Sequence, residues 1–107
     1  MKNKKENRVL AVDFDNTLFT EGWPGIGKPK RFTIWLAKRK KRQGHTLILN
    51  TCREGERLTE ALAACAVRGL YFDFANENDP KRIALYGGDC RKISADEYWD
   101  SRARRTL

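Results

Sequence analysis

Apolar and polar positions along the chain fall into blocks that predict a strand, a helix, a strand, a helix and a further strand. Compact apolar runs at 8–12 and 46–50 are too short for helices and predict buried strands. Between and after them, at 29–43 and 55–68, apolar side chains recur at the spacing of amphipathic helices. Glycines follow both helical segments and provide their ends.

The remaining pattern is shorter. Segments 71–74 and 97–99 predict a third and a fourth strand, and 79–85 predicts a short helix. The loop at 21–27 is too rich in glycine and proline for a helix or a central strand. Each predicted helix has one apolar face, formed by Phe32, Trp35 and Leu36 in the first and by Leu58, Ala61, Leu62 and Cys65 in the second.

The order of these elements predicts an α/β fold. Strands that alternate with helices form right-handed crossovers and a mainly parallel sheet, covered on both faces. We expect about four strands in a single domain spanning residues 1–107, with residues 1–7 as a flexible basic leader. Ligands of such sheets bind at the carboxyl ends of the strands. Asp13, Thr51, Asn76 and Asp100 each lie at or just past such an end, so we expect them at one edge.

Composition narrows the class of protein. Lysine and arginine number 22 against 14 acidic residues, and a net charge of +8 favours anionic, phosphate-rich ligands, although a charged face can also serve solubility alone. No apolar run is long enough to span a bilayer, and the charged start does not fit a signal peptide. The three cysteines lack metal-knuckle spacing. We therefore expect a cytoplasmic protein with reduced thiols and no membrane partner.

Three motifs carry candidate chemistry. Val-Asp13-Phe-Asp15-Asn-Thr17-Leu directly follows the first strand and resembles the first motif of the haloacid dehalogenase-like superfamily. The run 47–51, which ends at Thr51, resembles its second motif, and 92–100, from Lys92 to Asp100, resembles its joined third and fourth motifs. The resemblance extends from about residue 9 to residue 100, and it is to the small phage and bacterial members. A turn with solvated aspartates is the plain alternative for the first motif.

The resemblance implies a Rossmann-like, three-layer α/β/α core without a cap domain, and a magnesium-dependent phosphohydrolase. In that scheme Asp13 is the nucleophile that forms an aspartyl phosphate, and Asp15 is the general acid and base. Thr51 hydrogen-bonds the phosphoryl group, and Lys92 neutralises its charge. Lys81 and Arg82 compete for the lysine role.

The resemblance also implies a metal site and substrate contacts. Mg²⁺ would be held by Asp13, by the backbone carbonyl of Asp15 and by Asp100, because it prefers oxygen ligands. Thr17, Arg53 and Asn76 are candidate substrate-binding residues. An exposed arginine is the plain alternative for Arg53, and a turn-forming asparagine is the alternative for Asn76.

Two departures from the superfamily pattern bear on activity. Asp100 is followed by Ser101 instead of a second acid, which would weaken metal binding. A fifth strand is not expected, so the sheet edge would be exposed or covered by a second copy in a homodimer. The loop 21–27 is the expected remnant of a flap, in which Trp23 either stacks on a ligand or packs on the sheet.

Two classes of function follow. The first is hydrolysis of a phosphorylated small molecule or a nucleotide. The alternative is a catalytically weak or vestigial domain that binds nucleic acid or an acidic partner through basic clusters at 38–42 and 102–105. Because these clusters occupy a helix end and a tail without interleaved aromatic residues, solvated surface is the plain interpretation of them.

Overall fold

The computed structural model describes residues 7–77 and 93–100, together with the backbone of 104–106. The elements in chain order are β1 (Val9–Val12), α1 (Arg31–Arg42), β2 (Thr46–Leu49), α2 (Gly55–Ala66), β3 (Phe74–Ala75), β4 (Glu97–Trp99) and β5 (Arg104–Thr106). The strand-helix order predicted at the start of the chain is confirmed, and both helices begin and end within a few residues of the predicted bounds.

The sheet has five strands in the order β3-β2-β1-β4-β5. Strands β1 to β4 pair in parallel, and β5 pairs antiparallel with β4. The predicted mainly parallel α/β fold is therefore confirmed. The expectation that a fifth strand is missing was wrong, because the backbone at 104–106 returns along β4 and pairs with it.

The third strand begins three residues later than predicted. Asp73 lies in the segment expected to be a strand. Its carboxylate accepts a hydrogen bond of 2.8 Å from the Leu47 backbone N–H and forms an ion pair with Lys41. The Leu47 N–H is therefore bonded to the Asp73 side chain and not to a backbone carbonyl of a neighbouring strand. Regular pairing with β2 begins only at Phe74.

Both helices pack on one face of the sheet. Their buried residues, among them Ile34 and Ala37 of α1 and Ala61 and Cys65 of α2, form one apolar cluster with side chains of β1 and β2. The apolar stripe predicted for α2 is confirmed by this packing. The stripe predicted for α1 was wrong in part.

In α1 the small seam of Ile34 and Ala37, one turn apart, faces the sheet. Leu36 is partly buried against the same cluster. Phe32 and Trp35 instead stack on each other with 71% and 47% of their surfaces exposed. The helix therefore carries large aromatic side chains on its solvent face.

The opposite face of the sheet carries a smaller apolar cluster. Its buried members are Val9, Ala11, Ile48 and Ala95. The short helix predicted at 79–85, and with it the third layer of the expected three-layer arrangement, lies outside the described residues.

Two further expectations bear on the class of protein. Among the described helices, none combines the length and the apolar character that crossing a membrane requires. Cys52 and Cys65 both carry free thiols, and burial raises the pKa of Cys65 to about 12. Cys65 is therefore an inert core thiol, whereas Cys52 is exposed.

Candidate functional site

The carboxyl ends of the four parallel strands converge as the sequence predicted. Asp13, Asn76 and Asp100 directly follow β1, β3 and β4, and Thr51 lies two residues past β2. Backbone hydrogen bonds of 2.8 Å continue the sheet into this edge, from Asp13 N to Trp99 O, from Asn50 N to Val12 O and from Asn76 N to Leu49 O. The backbone that carries the candidate side chains is therefore held by the sheet itself.

Two cavities open at this edge and share Asp13, Thr51 and Cys52. The larger, of about 500 Å³, also includes Asp100 and is completed by Ala11, Asn50, Tyr98 and Trp99. The smaller, of about 320 Å³, also includes Asp15 and is completed by Glu21, Trp23 and Arg53. Asp13 therefore faces ligand-sized space on two sides.

Asp13 is a partly buried carboxylate among other carboxylates. Its Oδ1 accepts a hydrogen bond of 2.8 Å from the Phe14 backbone N–H. Burial raises the pKa of Asp13 above its ordinary value of 3.8, and the charges of Asp15 and Asp100 raise it further, against the lowering effect of the Phe14 hydrogen bond. The site thus concentrates negative charge that a cation would relieve.

Asp15 has a different environment. Arg53 donates a hydrogen bond to each oxygen of the Asp15 carboxylate, one from Nε at 2.9 Å and one from a terminal guanidinium nitrogen at 2.8 Å. The hydrogen bond to Asp15 in turn raises the pKa of Arg53 above its usual range. Such a two-point pair fixes the orientation of the carboxylate as well as its charge.

Arg53 is buried, with 1% of its surface exposed, and so the alternative of an exposed arginine was wrong. Its guanidinium lies between the rings of Phe14 and Trp23, 5.0 and 4.9 Å from their centroids. It also donates to the carbonyls of Pro24 and Gly25. Trp23 of the loop 21–27 therefore stacks on an arginine, and the loop is tied to the first motif through Arg53.

Thr51 and Asn76 fix the segment that carries Arg53. The Thr51 hydroxyl accepts a hydrogen bond of 3.1 Å from the Arg53 backbone N–H. The Asn76 side chain accepts from Thr51 N at 2.8 Å and donates to Arg53 O at 3.1 Å. Asn76 has a positive φ of 56°, which asparagine tolerates better than most residues. Asn76 thus acts as a clamp on the loop.

The oxygen donors at the edge fit a hard cation in their chemistry. Asp13 and Asp100 present carboxylates to one cavity, and the backbone carbonyl of Asp15 accepts no hydrogen bond in the described part of the chain. Over residues 7–77 and 93–100, no three acidic, histidine or cysteine side chains gather closely enough to form a metal site by themselves. The Asp15 carboxylate is directed to Arg53, so only its backbone oxygen is available.

Two of the predicted site residues are not in this group. Thr17 is buried in the turn after β1, lines neither cavity, and its hydroxyl has no partner among the described residues. Lys92, its competitors Lys81 and Arg82, and Ser101 lie outside the described residues.

Cys52 and Tyr98 are among the cavity residues that the sequence did not point to. Cys52 lies between Thr51 and Arg53 and borders both cavities. Tyr98 borders the larger cavity, and its hydroxyl links Ile93 O and Ala95 N. The alternation of side chains along β4 could have shown that Tyr98 points away from the face of Glu97 and Trp99.

Comparison with known proteins shows what this chain is similar to. No family model matches the sequence, and no curated protein matches it. Among solved structures, a conserved protein coded by a locus of Bacteroides thetaiotaomicron is 38% identical, with a TM-score of 0.80 over 91% of this chain and 78% of that chain. That likeness covers most of this chain and supports the α/β fold described above.

Proposed function

We propose that this chain, which belongs to the same family as that conserved Bacteroides thetaiotaomicron protein, is a magnesium-dependent phosphohydrolase with Asp13 as its nucleophile. The proposal places it in the haloacid dehalogenase-like superfamily. The observation that carries it is the position of Asp13, which follows the central strand and borders both cavities. The cytoplasm is the proposed location.

Asp13 has the properties that covalent phosphoryl transfer needs. Its Oδ1 is oriented by the Phe14 N–H, and the carboxylate faces space large enough for a phosphate monoester. Attack by a carboxylate oxygen on phosphorus forms an acyl phosphate as the ester oxygen leaves and takes a proton. Attack of water on that phosphorus then restores Asp13 and releases inorganic phosphate.

Bound magnesium would neutralise the crowded carboxylates and the entering phosphate. The residues that would hold it are Asp13 and Asp100 through their carboxylates and Asp15 through its backbone oxygen. The raised pKa of Asp13 supports this assignment, because a cation favours the ionised form that attack requires. Lys92 remains the predicted second source of positive charge.

Asp15 is the proposed proton donor to the leaving oxygen and the base for water. In this arrangement both of its oxygens accept hydrogen bonds from Arg53, so neither oxygen is free to contact a leaving group. Proton transfer therefore requires that one arm of the Arg53 pair opens. Arg53 is a positioning residue in this scheme, and Thr51 contacts the phosphoryl group from the same loop.

The test is turnover of an aryl phosphate and of a panel of nucleotides and phosphorylated sugars, with magnesium and with a chelator. We expect phosphate release that needs magnesium and falls by more than about a thousandfold in Asp13→Asn. The matched control is Glu60→Gln, an exposed carboxylate on α2 that should leave the rate unchanged.

Covalent chemistry has its own readout. Acid-quenched enzyme should carry phosphate on the peptide that contains Asp13, as detected by mass spectrometry. Full activity of folded Asp13→Asn would overturn the proposal. Complete inactivity of folded wild-type protein with every substrate would favour the alternative of a vestigial site in a binding protein.

A further inference from the structure

Helix α1 presents a solvent face that the fold does not use. Five of its residues, Arg31, Phe32, Trp35, Arg39 and Arg42, are exposed, and at 3.6 residues per turn they fall within about 100° of the helix circumference. We call these five residues the α1 stripe. It lies opposite the seam of Ile34 and Ala37 that packs on the sheet.

The α1 stripe combines stacked aromatic rings with cations. Phe32 and Trp35 lie 5.9 Å apart between ring centroids, and the Arg39 guanidinium lies 5.6 Å from the centroid of Trp35. Within the described part of the chain, none of the three arginines of the stripe forms an ion pair. Their positive charge is therefore available to a ligand.

The contrast with α2 shows that this composition is specific to one helix. Helix α1 has six basic residues, Arg31 and the five from Lys38 to Arg42, and no acidic ones. The exposed surface of α2 mixes Glu56, Arg57 and Glu60, with Arg57 and Glu60 paired, and α2 has no aromatic residue. A solubilising surface needs mixed charge and no aromatic rings, as on α2.

We propose that the α1 stripe binds single-stranded nucleic acid. Unpaired bases offer faces that stack on aromatic side chains, and flanking arginines contact the phosphates, so the two halves of the stripe match the two halves of a nucleotide. From Arg31 to Arg42 the stripe extends about 16 Å along the helix. The aromatic residues of the stripe lie among its arginines. The sequence had instead indicated basic clusters without interleaved aromatic residues.

Two other occupants fit the stripe less well. A second copy packed through a two-fold axis would set the arginines of one stripe against those of the other, because the same patch is used on both subunits. An anionic membrane would require a broader apolar surface than two side chains provide. Both occupants are outcomes of the test below.

The test is fluorescence anisotropy of a labelled single-stranded oligothymidylate with the full chain. Trp35→Ala should weaken binding by about tenfold, the usual effect of losing one stacked base. Tyr71→Ala is the matched control, since Tyr71 is exposed to 61% outside the stripe, and it should change binding less than twofold. Trp35→Phe should restore most of the affinity.

The charged half of the stripe has a separate readout. Arg39→Gln with Arg42→Gln should lower the slope of log affinity against log salt by about 1.4, or about 0.7 for each lost phosphate contact on a single strand. Arg57→Gln on α2 removes the same kind of charge and should leave the slope unchanged. Heparin should bind with no dependence on Trp35, because it has charge and no bases.

Three results would overturn the proposal. The first is equal weakening by Trp35→Ala and Tyr71→Ala. The second is a dimer of the wild-type protein in sedimentation that Trp35→Ala converts to a monomer. The third is tight binding to phosphatidylserine vesicles that depends on Trp35 when oligothymidylate binding does not. Because turnover of an aryl phosphate does not use the stripe, failure of the proposed phosphatase activity leaves this test intact.

Discussion

Two carboxylates in the same turn, Asp13 and Asp15, have opposite electrostatic environments. Asp13 lies near two other carboxylates in a partly buried position that raises its pKa, with one backbone N–H as its hydrogen-bond donor. Asp15 is held at two points by the buried guanidinium of Arg53. Asp13 is therefore destabilised in its ionised form, whereas Asp15 is paired with a buried cation.

This difference separates a reactive position from a supporting one. A partly buried carboxylate beside other carboxylates attracts a cation, and its ionised form costs stability to maintain. A two-point ion pair with a buried arginine positions the backbone from which both carboxylates extend. In the turn after β1, the pair of Asp15 with Arg53 therefore orients the backbone that carries Asp13.

The largest expected effect on stability comes from breaking the ion pair between Arg53 and Asp15. Arg53→Lys keeps the charge but loses the fork that grips Asp15 and reaches the carbonyls of Pro24 and Gly25. We expect the free energy of unfolding to fall by roughly 3 kcal/mol, because these groups are left without donors. Urea denaturation monitored by circular dichroism measures the change.

The control for that change is Arg57→Lys, in a pair with Glu60 that is exposed on both sides. We expect a loss of no more than about 0.5 kcal/mol there. A double-mutant cycle with Asp15→Asn should give a coupling energy that accounts for only part of the Arg53→Lys effect, because the hydrogen bonds to Pro24 and Gly25 are lost in both backgrounds. Equal losses at Arg53 and Arg57 would contradict the role assigned to the buried pair.

A second prediction concerns the clamp on the Arg53 loop. Asn76→Ala removes two hydrogen bonds and places alanine at a φ of 56°, so we expect a loss of about 2 kcal/mol in thermal or chemical unfolding. Asn76→Gly avoids the cost of alanine at a positive φ, so the free energy of unfolding should fall by about half as much. Asn16→Ala, at a φ of 65°, removes a long, exposed hydrogen bond of 3.5 Å to Glu21, so it reports mainly the cost of alanine at a positive φ. A loss there as large as at Asn76 would contradict the role of the Asn76 hydrogen bonds.

A third prediction tests the ring that covers Arg53. Trp23→Ala removes one of the two rings that flank the guanidinium, and we expect a loss of about 1 kcal/mol. Trp23→Phe should recover part of it. In an active enzyme the alanine variant should also lower kcat, since Arg53 would hold Asp15 less firmly. An unchanged stability and kcat would show that Trp23 is only a surface residue.

Most of the fold followed from the sequence because periodicity and strand-end polarity report which faces are buried. The edge that gathers Asp13, Thr51, Asn76 and Asp100 was predicted for this reason. The fifth strand was not, because Arg104–Thr106 is short and basic and its pairing with β4 depends on tertiary contact. The late start of β3 depends on the bond from Leu47 to the Asp73 side chain, which no local pattern reports.

The site was predictable in its residue types and less so in its pairing. The sequence places Arg53 two residues after Thr51, but burial between Phe14 and Trp23 requires the loop 21–27 to fold over it. The solvent face of α1 was misassigned for a related reason. Phe32 and Trp35 have the spacing of a core face, and only the packing of Ile34 and Ala37 on the sheet shows that they are exposed.

The smallest expected effect is the change in the free energy of unfolding when Asp13 is replaced. The pKa of Asp13 is raised in the folded protein, so its stabilising contribution is present below the ordinary value of 3.8 and is lost as pH rises through the folded value. At neutral pH without magnesium, Asp13→Asn should therefore be slightly more stable than wild type, since asparagine keeps the acceptor for Phe14 N–H and removes the charge. Thermal unfolding at several pH values should show this advantage shrinking in acid. Magnesium should raise the Tm of wild type more than that of Asp13→Asn, because the variant keeps Asp100 but loses the other proposed carboxylate ligand. A variant less stable than wild type at neutral pH, or stabilised equally by magnesium, would contradict the view that the ionised Asp13 destabilises the fold and binds a cation.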